Sequence, residues 1–199
     1  ASQIDLNPRA PNLNSMAFTY GYKWKETLLK DHEFNPIVLS YLRISNRSAE
    51  FNALLENNVL LQKSFEEQFI TGLNYIFTYN EQLLPNKKNQ VFFQGKMEFY
   101  GNFLSLINRV IKNEKPDPDN PYRLAGEVYA QLARFEVDFR NYYNISETSQ
   151  LIARLYSGIG IAYGNSITLP YVNQFFSGGS SSVRAFRVRS LGPGTFRNE

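Results

Sequence analysis

Four charged side chains of mixed sign, Arg134, Glu136, Asp138 and Arg140, alternate residue by residue with Ala133, Phe135, Val137 and Phe139. A two-residue period sends the two sets to opposite faces of one extended strand. The charged set cannot lie against hydrocarbon, and the apolar set would be wasted against water. Such a strand separates a wet side from an apolar one, as strands of a barrel or sandwich do.

The same period recurs along the chain. From Met16 to Trp24 the even positions are Met16, Phe18, Tyr20, Tyr22 and Trp24, against Ala17, Thr19, Gly21 and Lys23. A second run, Pro36 to Ile44, carries apolar residues on both faces. Around Phe69 to Gln82, Phe69, Leu73, Tyr75, Phe77 and Tyr79 oppose Gln68, Asn74, Thr78, Asn80 and Gln82. From Gln90 to Tyr100, Val91, Phe93, Met97 and Phe99 oppose Gln90, Gln94, Lys96 and Glu98. The last run, Leu151 to Tyr163, turns Leu151, Leu155, Ile159 and Ile161 to one side. Gly158, Gly160 and Ala162 face the other, where they leave room. A soluble antiparallel barrel or sandwich would give this alternation with the apolar side buried, because the pattern does not say which face points inward. Two features favour a membrane. The runs are long for globular strands, and aromatics crowd toward their ends (Tyr20, Tyr22, Trp24, Tyr79, Tyr142, Tyr143, Tyr163), where interfacial girdles form. No stretch approaches the roughly 18 apolar residues of a membrane helix, so a membrane would be crossed by strands.

The connections alternate short and long, as periplasmic turns and extracellular loops do. Thr27–Glu33, Leu83–Asn89 and Ile145–Ser149 are short. Asn46–Glu67 is long and has a helical pattern in Phe51, Leu54, Leu55, Leu61 and Phe65. Gly101–Leu124 is long again, with an amphipathic helix through Phe103, Leu104, Ile107, Val110 and Ile111 and then a stiff polar linker from Lys115 to Pro121. Everything after Gly164 is long. Capping of the barrel mouth explains both helical insertions more simply than partner binding.

No catalytic, metal or cofactor site is expected. The chain contains no cysteine. Its single histidine, His32, sits in a charged run read as a solvated turn. Ser180, Ser181 and Ser182 lack a base, and Gly178-Gly179-Ser180 lacks the Lys-Ser/Thr of a phosphate loop. Asp117 and Asp119 read as a solvated linker. A net charge of +3 gives no case for nucleic acid. Glu136 and Asp138 share their face with Arg134 and Arg140, so ion pairing explains them better than acid–base chemistry. The chain begins without Met and carries no secretory signal, and we read it as a processed or excised piece.

A further motif lies beyond the last strand. Phe176, Gly178 and Gly179 are followed by Val183, Arg184, Ala185 and Phe186, and then by Arg189-Ser190-Leu191-Gly192-Pro193-Gly194. This resembles the bacterial surface antigen barrel of the BamA/TamA superfamily, particularly TamA-like proteins of Bacteroidetes. There a Phe-x-x-Gly-Gly stretch leads into Val-Arg-Gly-Phe/Tyr on an extracellular loop folded into the lumen. The departure is Ala185, where Gly is commonest. The resemblance implies that residues 1–199 are part of an all-β, antiparallel transmembrane barrel of about six strands. It would have two short helical extracellular insertions and a long inward-folded loop over 165–199. The implied function is non-enzymatic assembly or insertion of proteins in the bacterial outer membrane. Implied partners are outer-membrane lipid, client outer-membrane proteins, and periplasmic or lipoprotein accessory subunits. Competing readings are a passive pore or secretion channel, and a soluble barrel holding an apolar ligand. A cation on an inward loop needs an anionic partner in a water-poor lumen. For Arg184 the resemblance implies carboxylates on strands following the loop, and Glu98, Glu136 and Asp138 are second choices. Alternatively, Arg184 is solvated like Arg187 and Arg189.

Overall fold

Each apolar–polar run becomes a strand of one meander, and several are longer than the sequence pattern suggested. The computed structural model describes residues 12–45, 52, 62, 68–84, 87–112, 121–124, 126–180 and 182–186. The long strands are β1 (Asn12–Thr27), β2 (Lys30–Ser45), β3 (Gln68–Asn80), β4 (Asn89–Tyr100), β7 (Leu132–Asn144) and β8 (Gln150–Ala162). They pair antiparallel in the order β1-β2-β3-β4-β7-β8. The shortest has 12 residues, enough for a tilted membrane strand, which needs about 9–11.

Register carries the two faces across the sheet. Asn35 stands opposite Asn74, Asn74 opposite Glu98, Glu98 opposite Arg134, and Arg134 opposite Gly160. This row and its same-parity neighbours form the inner face, where Asn35, Gln90, Glu98 and Asp138 are buried. The opposite, outer face leaves its apolar residues uncovered. Met16 is 76% exposed, Phe18 60%, Leu155 65% and Ile159 57%, whereas Asp138 is 7% exposed. Polarity is thus inverted relative to a soluble sandwich: Val137 and Phe139 are exposed while the carboxylates between and beside them are covered.

Three expectations change. The connection read as Thr27–Glu33 shrinks to a turn at Leu28 and Leu29, because the charged run continues the β1–β2 ladder through Lys25↔Asp31 and Thr27↔Lys30. His32 is therefore a strand residue, not a solvated turn residue. Its ring stacks on Trp24 with centroids 5.0 Å apart, and it hydrogen-bonds Tyr75 Oη at 2.7 Å and Glu26 Oε2 at 3.2 Å. Tyr142, read as part of a girdle, has the parity of Asp138 and is buried on the inner face. The mixed faces of β2 also find a cause. Pairing shifts register between Asn35 and Val38, at Pro36, whose missing N–H suits an irregular position. Opposite it lies Gly21, where an added Cβ would collide with the Asn35 side chain.

At the other end of the sheet, β4 stops at Tyr100 and the chain turns away at Gly101, whose φ is +76°. It enters helix α1 (Asn102–Lys112), as expected. The start of β3 would then lack a neighbour on that side. Two strands that the sequence reading missed fill the gap: β6 (Glu127–Tyr129) runs parallel to Gln68–Phe69, and β5 (Arg123–Leu124) pairs with β6. Ala130 N donates to Phe69 O at 3.0 Å, so the backbone groups of β3 stay satisfied. The helical pattern at 46–67 lies outside the described residues except for 52 and 62, and most of the Lys115–Pro121 linker lies outside them as well. Among the described residues no helix is long and apolar enough to cross a membrane.

The turn after β3 is stapled by one carboxylate. Glu81 accepts from Tyr79 Oη at 2.6 Å and, through its other oxygen, from Val91 N at 3.0 Å, and it pairs with Lys87. The Lys87 ammonium and then the Tyr79 hydroxyl hold this carboxyl at about 2, well below its ordinary range. A depressed folded-state value stabilises above the unfolded value of about 4.3 and is lost as pH falls toward the folded one. The β3–β4 turn should therefore loosen between about pH 4.3 and pH 2. Protection of the Val91 amide, taken relative to its intrinsic exchange rate at each pH, should fall as pH drops through that window in the parent, and Glu81→Gln should abolish that fall.

Candidate functional site: the charged inner face and the segment that returns to it

Strand alternation places Lys96, Glu98, Arg134 and Glu136 side by side on β4 and β7. Arg134 bridges Glu98 Oε2 and Glu136 Oε1, both at 2.9 Å, and Lys96 Nζ lies 2.7 Å from Glu98 Oε1. Two hydroxyls complete the set: Tyr100 donates to Glu98 at 3.0 Å and Tyr156 to Glu136 at 2.7 Å. Farther toward the turn end, Asp138 accepts from two forked guanidiniums. Arg140 binds it at 3.1 and 2.6 Å, and Arg154 at 3.0 and 2.8 Å. Opposite charges at non-bonded and diagonal positions of adjacent strands are within reach of each other. Burial strengthens such pairs and makes each carboxylate costly to lose.

Above this wall the chain reverses. Gly164, at φ +61°, leads into Asn165, which is 3% exposed. Its side chain accepts from Tyr122 N at 2.6 Å and donates to Tyr122 O at 3.0 Å and Tyr129 O at 2.8 Å. Asn165 N donates in turn to Gln131 Oε1 at 2.9 Å. This knot ties the β5–β6 segment to the turn after β8, and it aims the chain back across the inner face.

Two apolar side chains then dock where β8 carries glycine. A Cβ on Gly160 would lie 2.7 Å from Leu169 Cδ1, and a Cβ on Gly158 would lie 2.5 Å from the Phe175 ring. Leu169 also packs on the buried cluster of Val38, Ile70, Tyr100, Ala130 and Leu132. The Phe175 ring sits over the Arg134 guanidinium, 4.3 Å from its centroid. A cation held between two carboxylates and an aromatic face couples the returning segment to the ion network. The room foreseen beside Gly158 and Gly160 is thus occupied.

The tip follows. Gly178 and Gly179 have φ of +96° and +92°. Gly179 N donates to Phe186 O at 2.9 Å, Ser182 N to Gly179 O at 3.2 Å, and Phe186 N to Val183 O at 3.1 Å. Val183, Arg184, Ala185 and Phe186 therefore form one turn, with Arg184 and Ala185 at its centre, closed against the glycine pair. Phe176, Val183 and Phe186 are exposed. Arg184 Nε donates to Ser180 O at 3.3 Å. Glu98, Glu136 and Asp138 lie on the inner face, bonded to Lys96, Arg134, Arg140 and Arg154. The structure brings the motif residues together with one another, and brings the three carboxylates together with those other cations.

The Omp85 superfamily domain matches residues 4–198. The chain belongs to the Omp85 superfamily. No curated protein matches it. In an Omp85 barrel, which stands in the bacterial outer membrane, the exposed apolar face is the lipid side and the ion network is lumenal. Several residues that build the Omp85 site were not singled out from the sequence: Phe175, Leu169, Asn165 and Gln131. The signals for the first two were the pair of small residues on β8 and, for Phe175, the Phe-x-x-Gly-Gly spacing, which counted back from Gly178 falls on Phe175 rather than Phe176. Asn165 carries none, since nothing local distinguishes it from any turn asparagine.

Proposed function

We propose that this Omp85 chain belongs to a factor that inserts or assembles β-barrel proteins in the outer membrane, acting without catalysis. The family supports an insertion or translocation role in general terms. The observation that carries the finer reading is the seat of the returning segment, with Phe175 held by Gly158 and Arg134 on the lumenal wall. Unpaired backbone groups are intolerable in lipid, so a barrel helps a client by offering it strand edges and disturbing the bilayer nearby. A wall that must yield at one place needs bracing elsewhere, and the docked segment braces β7 and β8 from inside. In this reading Arg184 pins the tip to a lumenal carboxylate beyond Glu98, Glu136 and Asp138, which already hold cations. Client outer-membrane proteins and accessory subunits are the partners.

Depletion of the full-length protein from cells tests this. The heat-modifiable, folded fraction of other outer-membrane barrels should fall, Arg184→Ala should reproduce much of the loss, and Arg189→Ala should not. Unchanged levels of those barrels, together with ion conductance by the purified protein, would identify a passive pore instead.

A further inference from the structure

Helix α1 is built the wrong way round for a helix on a water-facing surface. Its two asparagines bond to the protein: Asn102 Oδ1 accepts from Tyr163 Oη at 2.7 Å and from Gln131 Nε2 at 3.2 Å, and Asn108 Nδ2 donates to Tyr129 Oη at 3.3 Å. Its large apolar side chains point away. Phe103 is 71% exposed, Leu106 61%, Val110 76% and Ile111 74%. The spacing of 103, 106/107 and 110/111 gathers them into one stripe. An apolar stripe left open to water beside a membrane protein marks an interaction surface.

We infer that this stripe is seated in the headgroup–acyl boundary of an anionic lipid leaflet, with α1 lying flat at the barrel rim. Two observations select lipid. First, α1 carries Arg109 and Lys112 and no acidic residue, the charge balance of helices that lie on anionic bilayers. Second, α1 starts directly after β4, whose outer residues Met97 and Phe99 belong to the lipid-facing wall, so the stripe continues a surface already in hydrocarbon. Asn102 and Asn108 fix the helix so that the apolar side remains outermost. The inference rests on the lipid-facing assignment of the outer wall and is independent of the assembly role.

Spin labelling tests it, and the absence of cysteine from residues 1–199 leaves the labels unambiguous there. Single Cys variants at Phe103, Leu106, Val110 and Arg109 of the full-length protein would carry a nitroxide in phosphatidylethanolamine–phosphatidylglycerol vesicles. The ratio of oxygen to nickel-chelate accessibility should be several-fold higher at 103, 106 and 110 than at 109. Replacing phosphatidylglycerol by phosphatidylcholine should lower it. Nickel-dominated relaxation at all four positions would place the helix in water. Exclusion of both reagents would mean that another protein segment covers it. Either result overturns the inference, and a ratio indifferent to lipid charge overturns its anionic part. None of these outcomes depends on whether client barrels assemble.

Discussion

A Gly158→Leu variant is expected to expel Phe175 from the lumenal wall and release the segment from 169 to 186. At Gly158 even a Cβ would lie 2.5 Å from the ring, and 3.2 Å from Phe135 O. The ring is the only one of these that can retreat, and its retreat also removes the aromatic face from Arg134. Overpacking a well-filled site costs about 1–3 kcal/mol. Here the cost falls on one docked segment, so that segment rather than the barrel should yield. Limited proteolysis of the full-length protein in vesicles should show cleavage within 169–186 many times faster than in the parent, while the strands stay protected. Gly95→Ala is the control, because a Cβ there meets only the Phe93 ring at an ordinary 3.5 Å. A Gly158→Leu protein as resistant as the Gly95→Ala protein would show that the seat does not hold the segment.

Removal of the Glu98 carboxylate should have the other large effect. Glu98 is 4% exposed and accepts from Arg134, Lys96 and Tyr100 together. With Glu98→Ala, two cations and a hydroxyl lose their shared partner inside the lumen. Breaking a buried pair from one side costs about 3–5 kcal/mol, which should appear as a clear fall in the urea midpoint of the vesicle-embedded protein. Arg154→Ala sets the scale. Asp138 keeps both bonds from Arg140, and the Arg154 side chain is 43% exposed, so the loss there should be under about 1 kcal/mol. Equal midpoints for the two variants would mean that the inner network is solvated and interchangeable. Since Arg134 is also the platform for Phe175, Glu98→Ala should raise protease sensitivity at 169–186 as well.

Much of this architecture is legible residue by residue, for a simple reason. In Arg134–Arg140 the side-chain period is exactly that of a strand, and mixed charges against Phe and Val leave one division of faces. The six long strands, the short turn at Ile145–Ser149 and the helix after Gly101 all follow from such local patterns. Legibility fails where a long-range partner decides. The run around His32 looks like a turn because it is charged; cross-strand pairing with Trp24 and Lys25 makes it strand. Tyr142 looks like a girdle residue until the register with Gln90 sets its side. β5 and β6 are too short to show a period, and they exist because β3 needs a neighbour where β4 departs.

The sequence by itself determined that this chain is a sheet of long strands with one charged and one aromatic face, and its motif after the last strand placed it among surface antigen barrels. Only the tertiary structure decided which face is covered, which cations hold Glu98, Glu136 and Asp138, and that Phe175 sits against Gly158 and Arg134 on the wall. Alternation is a property of neighbours along the chain, so it survives in the sequence. The seat at Gly158 joins residues from β7, β8 and a returning loop, and its fit depends on distances across strands that no run of residues encodes.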